Sequence, residues 1–131
     1  MHRMAPPNVL WDDRPTTQWL RGVLDLCLMA VVADDPAYGY EMTRRLREAG
    51  LDGVADGSIY PALARLERSG RLESFKVQSD EGPARKYYRL TSAGNEALHA
   101  ARIEWRAFSG GVANVLGEAP ERIPTAEGRQ L

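Results

Sequence analysis

The segment from residue 38 to residue 91 constrains the fold of this chain more than any other part of the sequence. It predicts two short amphipathic helices in succession, because apolar side chains recur there every three or four positions. The first covers residues 39–49 with Gly50 as its C-terminal cap, and the second begins at a cap formed by Asp56 or Ser58 and stops at Ser69-Gly70. Two strands follow, over residues 72–78 and 85–90, and are joined by a polar turn. Two helices followed by a β-hairpin are the elements of a winged helix-turn-helix, which lays one helix in a DNA groove and the hairpin beside it.

Length and composition predict one folded domain, while the total charge gives no sign of a nucleic-acid partner. The chain has 131 residues, of which 44% are hydrophobic and 27% charged, and its formal net charge is −1. Residues 38–91 carry ten Lys and Arg against eight Asp and Glu. Because DNA affinity rises with the number of phosphates neutralised, we expect one copy to bind DNA weakly and two copies on one duplex to bind more tightly.

The sequence predicts a cytoplasmic protein without disulfides. The single cysteine, Cys27, excludes a disulfide within the chain and lies in an apolar run, which indicates a buried thiol. The N-terminus lacks the basic-then-apolar pattern of a signal peptide. The longest apolar run, over residues 26–33, is too short to span a membrane.

The residues of catalysis are missing, so we expect no enzyme activity, no cofactor and no metal. His2 lies in the N-terminal arm and His99 stands alone in the last helix. The sequence has no paired-histidine metal spacing, no phosphate-binding glycine loop and no nucleophile elbow. Carboxylates on the predicted helices have basic neighbours, which indicates solvated helix faces.

Four parts are predicted along the chain. Residues 1–15 carry three prolines and no periodicity, which indicates a flexible arm with Trp11 as its anchor. Residues 16–91 form the winged-helix domain, residues 92–117 a long C-terminal helix, and residues 118–131 an irregular tail. The fold class is therefore mainly α with a small β-hairpin.

The first helix is predicted to be apolar on nearly all sides. Leu20, Leu24 and Leu28 recur at helical spacing and form one stripe. Leu26 and Met29 extend the apolar surface beyond that stripe. A helix that is hydrophobic all round is buried on more than one side, so in a chain of this size another subunit is a candidate for the second contact.

The C-terminal helix has the clearest periodicity in the chain. Its apolar residues step by three and four in strict alternation: Leu98, Ala101, Trp105, Phe108, Val112 and Val115. This is the heptad spacing of two helices packed along each other.

The second helix of the pair carries candidate DNA contacts. Its first residues are short or hydroxyl-bearing and can donate to phosphates or base edges: Gly57, Ser58 and Tyr60. Pro61 is predicted within the first turn, where its missing N–H costs little. Three arginines add cations further along: Arg65, Arg68 and Arg71. An ordinary amphipathic helix with a solvated basic face explains the same residues equally well.

The hairpin is predicted to carry a basic tip. Arg85 and Lys86 follow a Gly-Pro turn, and Lys76 and Arg89 lie near them on the strands. Cations on such a wing reach phosphates or a minor groove. The alternative is a solvent-exposed hairpin edge that is protected by charge.

In their order and spacing, these residues resemble the PadR family of bacterial transcriptional regulators. The resemblance rests on the following motifs: Leu20-Arg21-Gly22-Val23-Leu24-Asp25-Leu26, Tyr38-Gly39-Tyr40-Glu41, Ser58-Ile59-Tyr60-Pro61-Ala62-Leu63, Arg65-Leu66-Glu67, Gly82-Pro83 and Arg85-Lys86-Tyr87-Tyr88-Arg89-Leu90-Thr91. It covers about three quarters of the chain, from Thr17 to Leu116, and the short single C-terminal helix resembles the compact subgroup of the family.

The resemblance implies a homodimer in which the C-terminal helix of each subunit packs on the N-terminal helix of the other. It implies repression of nearby genes by binding double-stranded DNA at a palindromic operator. By position, it places Ser58, Tyr60 and Pro61 on the base-facing helix and Arg85 and Lys86 on the wing.

Together these observations predict two sets of site residues. The predicted DNA contacts are Gly57, Ser58, Tyr60, Pro61, Arg65, Lys76, Arg85 and Lys86. The predicted dimer interface consists of Leu26, Met29, Leu98, Ala101, Trp105, Phe108 and Val112. In some multidrug-sensing members of the family a tryptophan at the position of Trp105 stacks on flat ligands, so a small planar ligand is a candidate partner. The alternative role of Trp105 is a large anchor of the interface.

Two other functions fit parts of the sequence. A winged-helix module that binds protein instead of DNA agrees with the near-neutral charge. A small-molecule carrier or sensor would use the region of Trp105 alone.

Overall fold

The structure is a computed structural model that describes residues 15–54 and 56–118. Its elements run in this order: α1 (Pro15–Val31), β1 (Ala37–Tyr38), α2 (Gly39–Glu48), α3 (Asp56–Arg68), β2 (Leu72–Ser79), β3 (Gly82–Leu90) and α4 (Ser92–Leu116). The predicted fold class, mainly α with a hairpin, is confirmed. The predicted arm before Pro15, with Trp11, and the predicted tail beyond residue 118 lie outside the described residues.

The core forms around the apolar stripe of α1. Leu20, Leu24 and Leu28 follow one another at one-turn intervals and are buried. Helices α2 and α3, the sheet and the start of α4 contribute the other large core side chains: Met42, Leu46, Ile59, Leu63, Leu66, Leu72, Tyr88 and Leu98. Each helix therefore meets the core with the face that its periodicity predicts.

Glycines end α2 and α3 in the same way. After α2, the Leu51 N–H donates to the Leu46 carbonyl at 3.0 Å, and the Gly50 N–H donates to the Arg47 carbonyl at 2.9 Å. This motif needs a left-handed residue, and Gly50 has a φ of 111°. Gly70 has a φ of 80° and occupies the same place after α3, so the predicted ends of both helices are confirmed.

Three antiparallel strands form the sheet in the order β1-β3-β2. In β1, Ala37 pairs with Tyr88 and Tyr38 pairs with Tyr87. The sequence predicts only the hairpin of β2 and β3, because a strand of two residues is too short to show an alternating pattern.

The tip of the hairpin differs from the prediction. Ser79 pairs with Gly82, so the connecting residues are Asp80 and Glu81 and the tip is acidic instead of basic. Gly82 and Pro83 begin β3 and do not form the turn. Proline is tolerated near the first residue of a strand, where its missing N–H disturbs the ladder least. The two cations that were predicted at the tip therefore lie on the strand itself.

Pro61 also lies deeper in its helix than predicted. Because α3 begins at Asp56, Pro61 falls in the second turn. Its ring has no N–H to donate to the Gly57 carbonyl four residues earlier. Gly57 is exposed, so water can bind that carbonyl, and the helix continues to Arg68.

Thr91 joins the end of α3 to the start of α4. Its hydroxyl donates to the Gly70 carbonyl at 2.6 Å and accepts from the Gly94 N–H at 2.9 Å, which caps the helix. Its backbone N–H donates to the Arg71 carbonyl at 3.1 Å. Gly94 is buried, and a Cβ atom there would collide with the Arg71 carbonyl group and the Leu90 side chain. Only glycine fits this position without a shift of the backbone.

The chain divides into two compact units, with the boundary between Leu98 and His99 inside α4. The first contains α1 to α3, the sheet and the first turns of α4. In the second, α4 exposes large apolar side chains: Ile103, Trp105, Phe108, Val112, Val115 and Leu116. In the part of the chain that the structure describes, no helix is long and apolar enough to cross a membrane.

Candidate nucleic-acid interface

Small side chains line the outward face of α3. Its inward face is fully buried: Ile59, Ala62, Leu63 and Leu66. On the other side, Gly57, Pro61 and Ala64 follow one another at helical spacing, and Arg68 continues the row. Gly57 and Pro61 are exposed, and Ala64 is half-buried. Because these three residues have no long side chain, the backbone of α3 can approach the floor of a DNA groove closely.

Tyr60 lies at the edge of this face and covers the start of α2. Its side chain is 51% exposed. The ring packs on the buried backbone of Gly39, where a Cβ atom would lie 2.7 Å from the ring and from the phenol oxygen. The absence of a side chain at Gly39 therefore positions the Tyr60 hydroxyl beside the first residue of α2.

Arg65 is held by α1. Its Nη2 lies 2.7 Å from Oδ1 of Asp25, and both side chains are about half exposed. Arg65 must leave or share this partner in order to reach a phosphate. Ser58, another predicted contact, is exposed in the first turn of α3.

Two lysines face each other across the hairpin, on the side that is turned toward α3. Lys76 and Lys86 are directly opposed in the ladder of β2 and β3. Nζ of Lys86 lies 3.4 Å from Oε1 of Glu67 on α3, and the Ser74 hydroxyl donates to Oε2 of Glu67 at 2.6 Å. Glu67 therefore connects α3 to both long strands. Among the described residues, Lys76 takes part in no ion pair.

These contacts shift the proton affinities of the groups involved. The Ser74 hydroxyl lowers the pKa of Glu67, and Lys86 adds to the effect. The Tyr88 hydroxyl and the Glu67 carboxylate raise the pKa of Lys86, whose Nζ lies 5.5 Å from the centre of the Tyr88 ring. Both shifts favour the charged forms, so the pair between helix and hairpin is charged at neutral pH.

Replacing Ser74 by Ala should raise the pKa of Glu67 toward its ordinary value, because the carboxylate loses a donor. A carboxyl group whose pKa is lowered by folding stabilises the protein above its unfolded pKa, about 4.3, and loses that contribution as the pH falls through the folded pKa. Relative to the wild type, the variant should therefore lose stability at neutral pH and little at strongly acid pH. An NMR titration of the Glu67 carboxyl group measures this, and an unchanged titration curve would contradict it.

Arg85 lies on the opposite face of the hairpin from Lys86, because neighbours on a strand alternate. Its guanidinium lies 4.8 Å from the centre of the Tyr38 ring and donates to the Tyr38 hydroxyl at 3.3 Å. Tyr38, Tyr87 and Phe75 form a row of rings across the three strands, with centroids 5.2 and 5.9 Å apart. The prediction that Arg85 and Lys86 lie together at the tip is therefore wrong.

The sequence reasoning missed two exposed residues of α2, the helix whose first residue Tyr60 covers. Tyr40 directly follows Gly39 and is exposed, and Arg44 lies one turn further on. The Arg44 guanidinium pairs with Glu48 at 2.9 Å, beside an open groove of about 250 Å³ along α2. A tyrosine four residues before an arginine, in the helix before the candidate recognition helix, is the signal that could have indicated them.

The residues predicted for a dimer interface fall into three groups by exposure. Leu98 and Met29 are only 1% and 4% exposed, so they have almost no surface to offer a second subunit, which corrects the prediction for these two. Leu26 and Ala101 are half-buried. The remaining three are exposed by 43%, 65% and 42%: Trp105, Phe108 and Val112.

Groups with catalytic potential are not brought together in the described part of the chain. No cluster of three or more His, Cys, Asp or Glu side chains there could hold a metal ion. Burial raises the pKa of the Cys27 thiol, which keeps it protonated and a poor nucleophile.

Comparison with known proteins places the chain among regulators of transcription. Residues 28–100 match the model of the transcriptional regulator PadR-like family. A transcriptional regulator of Mycobacterium tuberculosis is 37% identical over 81 residues, which cover 62% of this chain and 74% of that protein. An uncharacterized protein of Lysinibacillus sphaericus is 30% identical over 88 residues, with 66% and 81% coverage.

Solved structures show the same fold. The crystal structure of a PadR-like transcriptional regulator from Bacillus cereus matches with a TM-score of 0.68 and 37% identity, over 76% of this chain and 96% of that one. A PadR family regulator from Eggerthella lenta matches with a TM-score of 0.68 and 30% identity, over 76% and 86%. Because the family match spans 73 of 131 residues and the folds agree, the chain belongs to the PadR-like family of transcriptional regulators, which are not enzymes.

Proposed function

We propose that this regulator binds DNA sequence-specifically as a homodimer, with α3 as its recognition helix. One observation carries the proposal: the outward face of α3 is a row of small side chains with the exposed Tyr60 at its edge. Such a face fits a major groove, because the backbone comes close to the base edges while one larger side chain reaches a particular base.

The groups around this face can make different kinds of contact with DNA. The hydroxyls of Ser58 and Tyr60 can donate to phosphates or accept from base edges. Lys76 and Lys86, on the side of the hairpin next to α3, neutralise phosphates beside the groove. The ammonium of Lys86 has three N–H donors, so it can pair with Glu67 and with a phosphate at the same time. Because Glu67 holds both hairpin strands against α3, the wing and the recognition helix approach the duplex in a fixed geometry.

The exposed heptad seam of α4, formed by Trp105, Phe108 and Val112, supports the dimer. Trp105, Phe108 and Val112 present a row of large apolar surfaces, and the rings of Trp105 and Phe108 are 6.2 Å apart. A row of this kind is stabilised when a second copy covers it. Two copies also double the phosphate contacts of a chain with a net charge of −1. The two half-sites should lie about one helical turn apart.

Repression is the mode of regulation that we propose. A symmetric dimer on a palindromic operator occupies the DNA that a promoter complex needs. Trp105 offers part of its ring to a planar aromatic ligand, and binding of such a ligand between the subunits would release the DNA. Quenching of Trp105 fluorescence by planar aromatics tests this part, with Trp105→Leu as the control for Trp11 and Trp19.

The direct test is binding of the purified protein to DNA from its own upstream region, titrated with salt. We expect tight, sequence-selective binding with a steep salt dependence, and a footprint with two-fold symmetry. Retention no stronger than on unrelated DNA would favour the alternative function, a winged-helix module that binds another protein. That alternative draws its support from the near-neutral charge of residues 38–91, and it predicts a protein partner whose binding is insensitive to salt.

Replacing Lys86 by Ala should weaken binding to all DNA sequences alike and reduce the slope of log affinity against log salt by about one phosphate contact. Arg89→Ala is the matched control, since Arg89 lies on the other face of the same hairpin and pairs with Glu73 at 2.7 Å. If the two variants have equal salt slopes, Lys86 makes no phosphate contact.

Replacing Gly39 by Ala should reduce the preference for the operator over unrelated DNA by about tenfold, the loss typical of one base contact. The new methyl group would displace the Tyr60 ring, which is exposed and free to swing away, so the fold should remain stable. Tyr60→Phe, which removes only the hydroxyl, separates a hydrogen bond from a shape effect. An equal loss on operator and unrelated DNA would contradict base reading by Tyr60.

A further inference from the structure

We propose that an open cleft between α1 and the end of α3 binds a phosphate group. The cleft has a volume of about 370 Å³ and is lined by Asp25, Arg65, Leu66, Arg68, Ser69 and Arg71. It lies beyond the row of small side chains that we assign to the groove-facing part of α3.

The charge of the cleft is unbalanced. Three arginines and one aspartate line it, which gives a net charge of +2. Asp25 pairs with Arg65 at 2.7 Å, whereas Arg68 and Arg71 form no ion pair with any residue that the structure describes. Cations so close in sequence repel each other, and an anion between them removes this repulsion.

The backbone that carries these arginines is firmly held. The Arg71 N–H donates to the Leu66 carbonyl at 2.9 Å, and the Arg71 carbonyl accepts from the Thr91 N–H at 3.1 Å. The Ser69 hydroxyl also donates to the Leu66 carbonyl, at 3.0 Å. Only the arginine side chains need to be ordered when an anion binds, which lowers the entropic cost of binding.

The chemistry of the lining favours phosphate over a carboxylate or a halide. A guanidinium presents its N–H groups as a planar fork that occupies both oxygens of a carboxylate, whereas a phosphate group keeps further oxygens and a second charge for a second fork. Arg68 and Arg71 supply two such forks among the residues that line the cleft. Asp25 keeps Arg65 in place on the α1 side, so the anion binds next to the two unpaired arginines.

Two sources can supply the phosphate. One is a small phosphorylated molecule in solution, which would give the regulator a second input besides DNA. The other is the DNA backbone outside the operator, and this case rests on the proposed function. The shared chemistry is a phosphate group on Arg68 and Arg71.

The first experiment titrates the full-length protein with pyrophosphate in the absence of DNA, followed by NMR of the arginine side chains. We expect saturable binding, with the largest shifts at Arg68 and Arg71. The double variant Arg68→Gln, Arg71→Gln should bind at least about tenfold more weakly, a loss of about 1.4 kcal/mol, since its charged hydrogen bonds to the phosphate are removed. The double variant Arg102→Gln, Arg106→Gln makes the same change of charge on α4 and should bind like the wild type.

The second experiment compares a duplex limited to the operator with one that is extended on both sides. If the cleft holds backbone phosphates, the wild type should bind the extended duplex more tightly than the short operator, and the Arg68→Gln, Arg71→Gln variant should bind the two duplexes with equal affinity. If the Arg68→Gln, Arg71→Gln variant loses pyrophosphate binding but duplex length has no effect on the wild type, the source is a free phosphorylated ligand. The proposal is overturned if both double variants bind pyrophosphate with equal affinity and if extending the duplex changes the affinity of both variants equally. The arginines would then only stabilise the end of α3.

Discussion

Replacing Gly94 by Ala should lower the free energy of unfolding by about 3 kcal/mol, the upper part of the range for overpacking a buried site. A Cβ atom at this position would collide with the Arg71 carbonyl group and lie 2.8 Å from Cδ1 of Leu90. The first obstacle is backbone that the end of α3 and Thr91 hold in place, so it cannot yield as a flexible side chain would. Denaturant unfolding at equilibrium measures the loss.

The matched control is Gly22→Ala in α1. A Cβ atom at Gly22 has no neighbouring atom within 4 Å, and the position lies within a helix. Alanine there should stabilise the protein by about 0.5–1 kcal/mol, because glycine loses more conformational freedom on folding. Equal effects of the two substitutions would show that the contact between Gly94 and Arg71 does not limit stability.

Replacing Phe108 by Asp should convert the proposed dimer into monomers and lower the affinity for the operator by about a hundredfold or more. The charge would be buried without a partner against the second subunit. The affinity falls because each monomer reaches only one half-site and loses the gain of simultaneous binding. Sedimentation of the free protein and operator binding are the two measurements.

Ile103→Asp is the control for this experiment. Ile103 is an exposed apolar residue of the same helix, but its position in the turn places it on the side away from the heptad seam. The variant should remain dimeric and bind the operator like the wild type. Dissociation of both variants, or of neither, would contradict an interface along the seam of Trp105, Phe108 and Val112.

Elements with a repeating apolar pattern could be predicted from the sequence. The stripe of α1, the glycine ends of α2 and α3 and the heptad spacing of α4 follow from local rules, and the structure has these helices. Strand β1 could not be predicted, because its two residues become a strand only by pairing with Tyr87 and Tyr88. The prediction of a basic hairpin tip was wrong, because a Gly-Pro pair occurs both in turns and at the start of strands.

Less of the candidate site than of the fold could be predicted from the sequence. The residue types on α3 and the hairpin are visible in the sequence, and the alternation of a strand already separates Arg85 from Lys86. Their partners are not visible. Arg65 meets Asp25 forty residues away, and Lys86 meets Glu67 across the sheet, so both ion pairs depend on how the helices pack. The burial of Leu98 and Met29 likewise depends on tertiary packing, which decides which apolar side chains lie in the core.

The junction at Thr91 has a consequence for how this chain tolerates change. One hydroxyl, that of Thr91, contacts the end of α3 at Gly70 and the start of α4 at Gly94, and the Arg71 carbonyl limits the space for a side chain at Gly94. Effects of substitutions at these positions cannot simply add, because each variant alters the environment in which the next one acts. The four residues are therefore energetically coupled, and the effect of a replacement at one position depends on which residues occupy the other three.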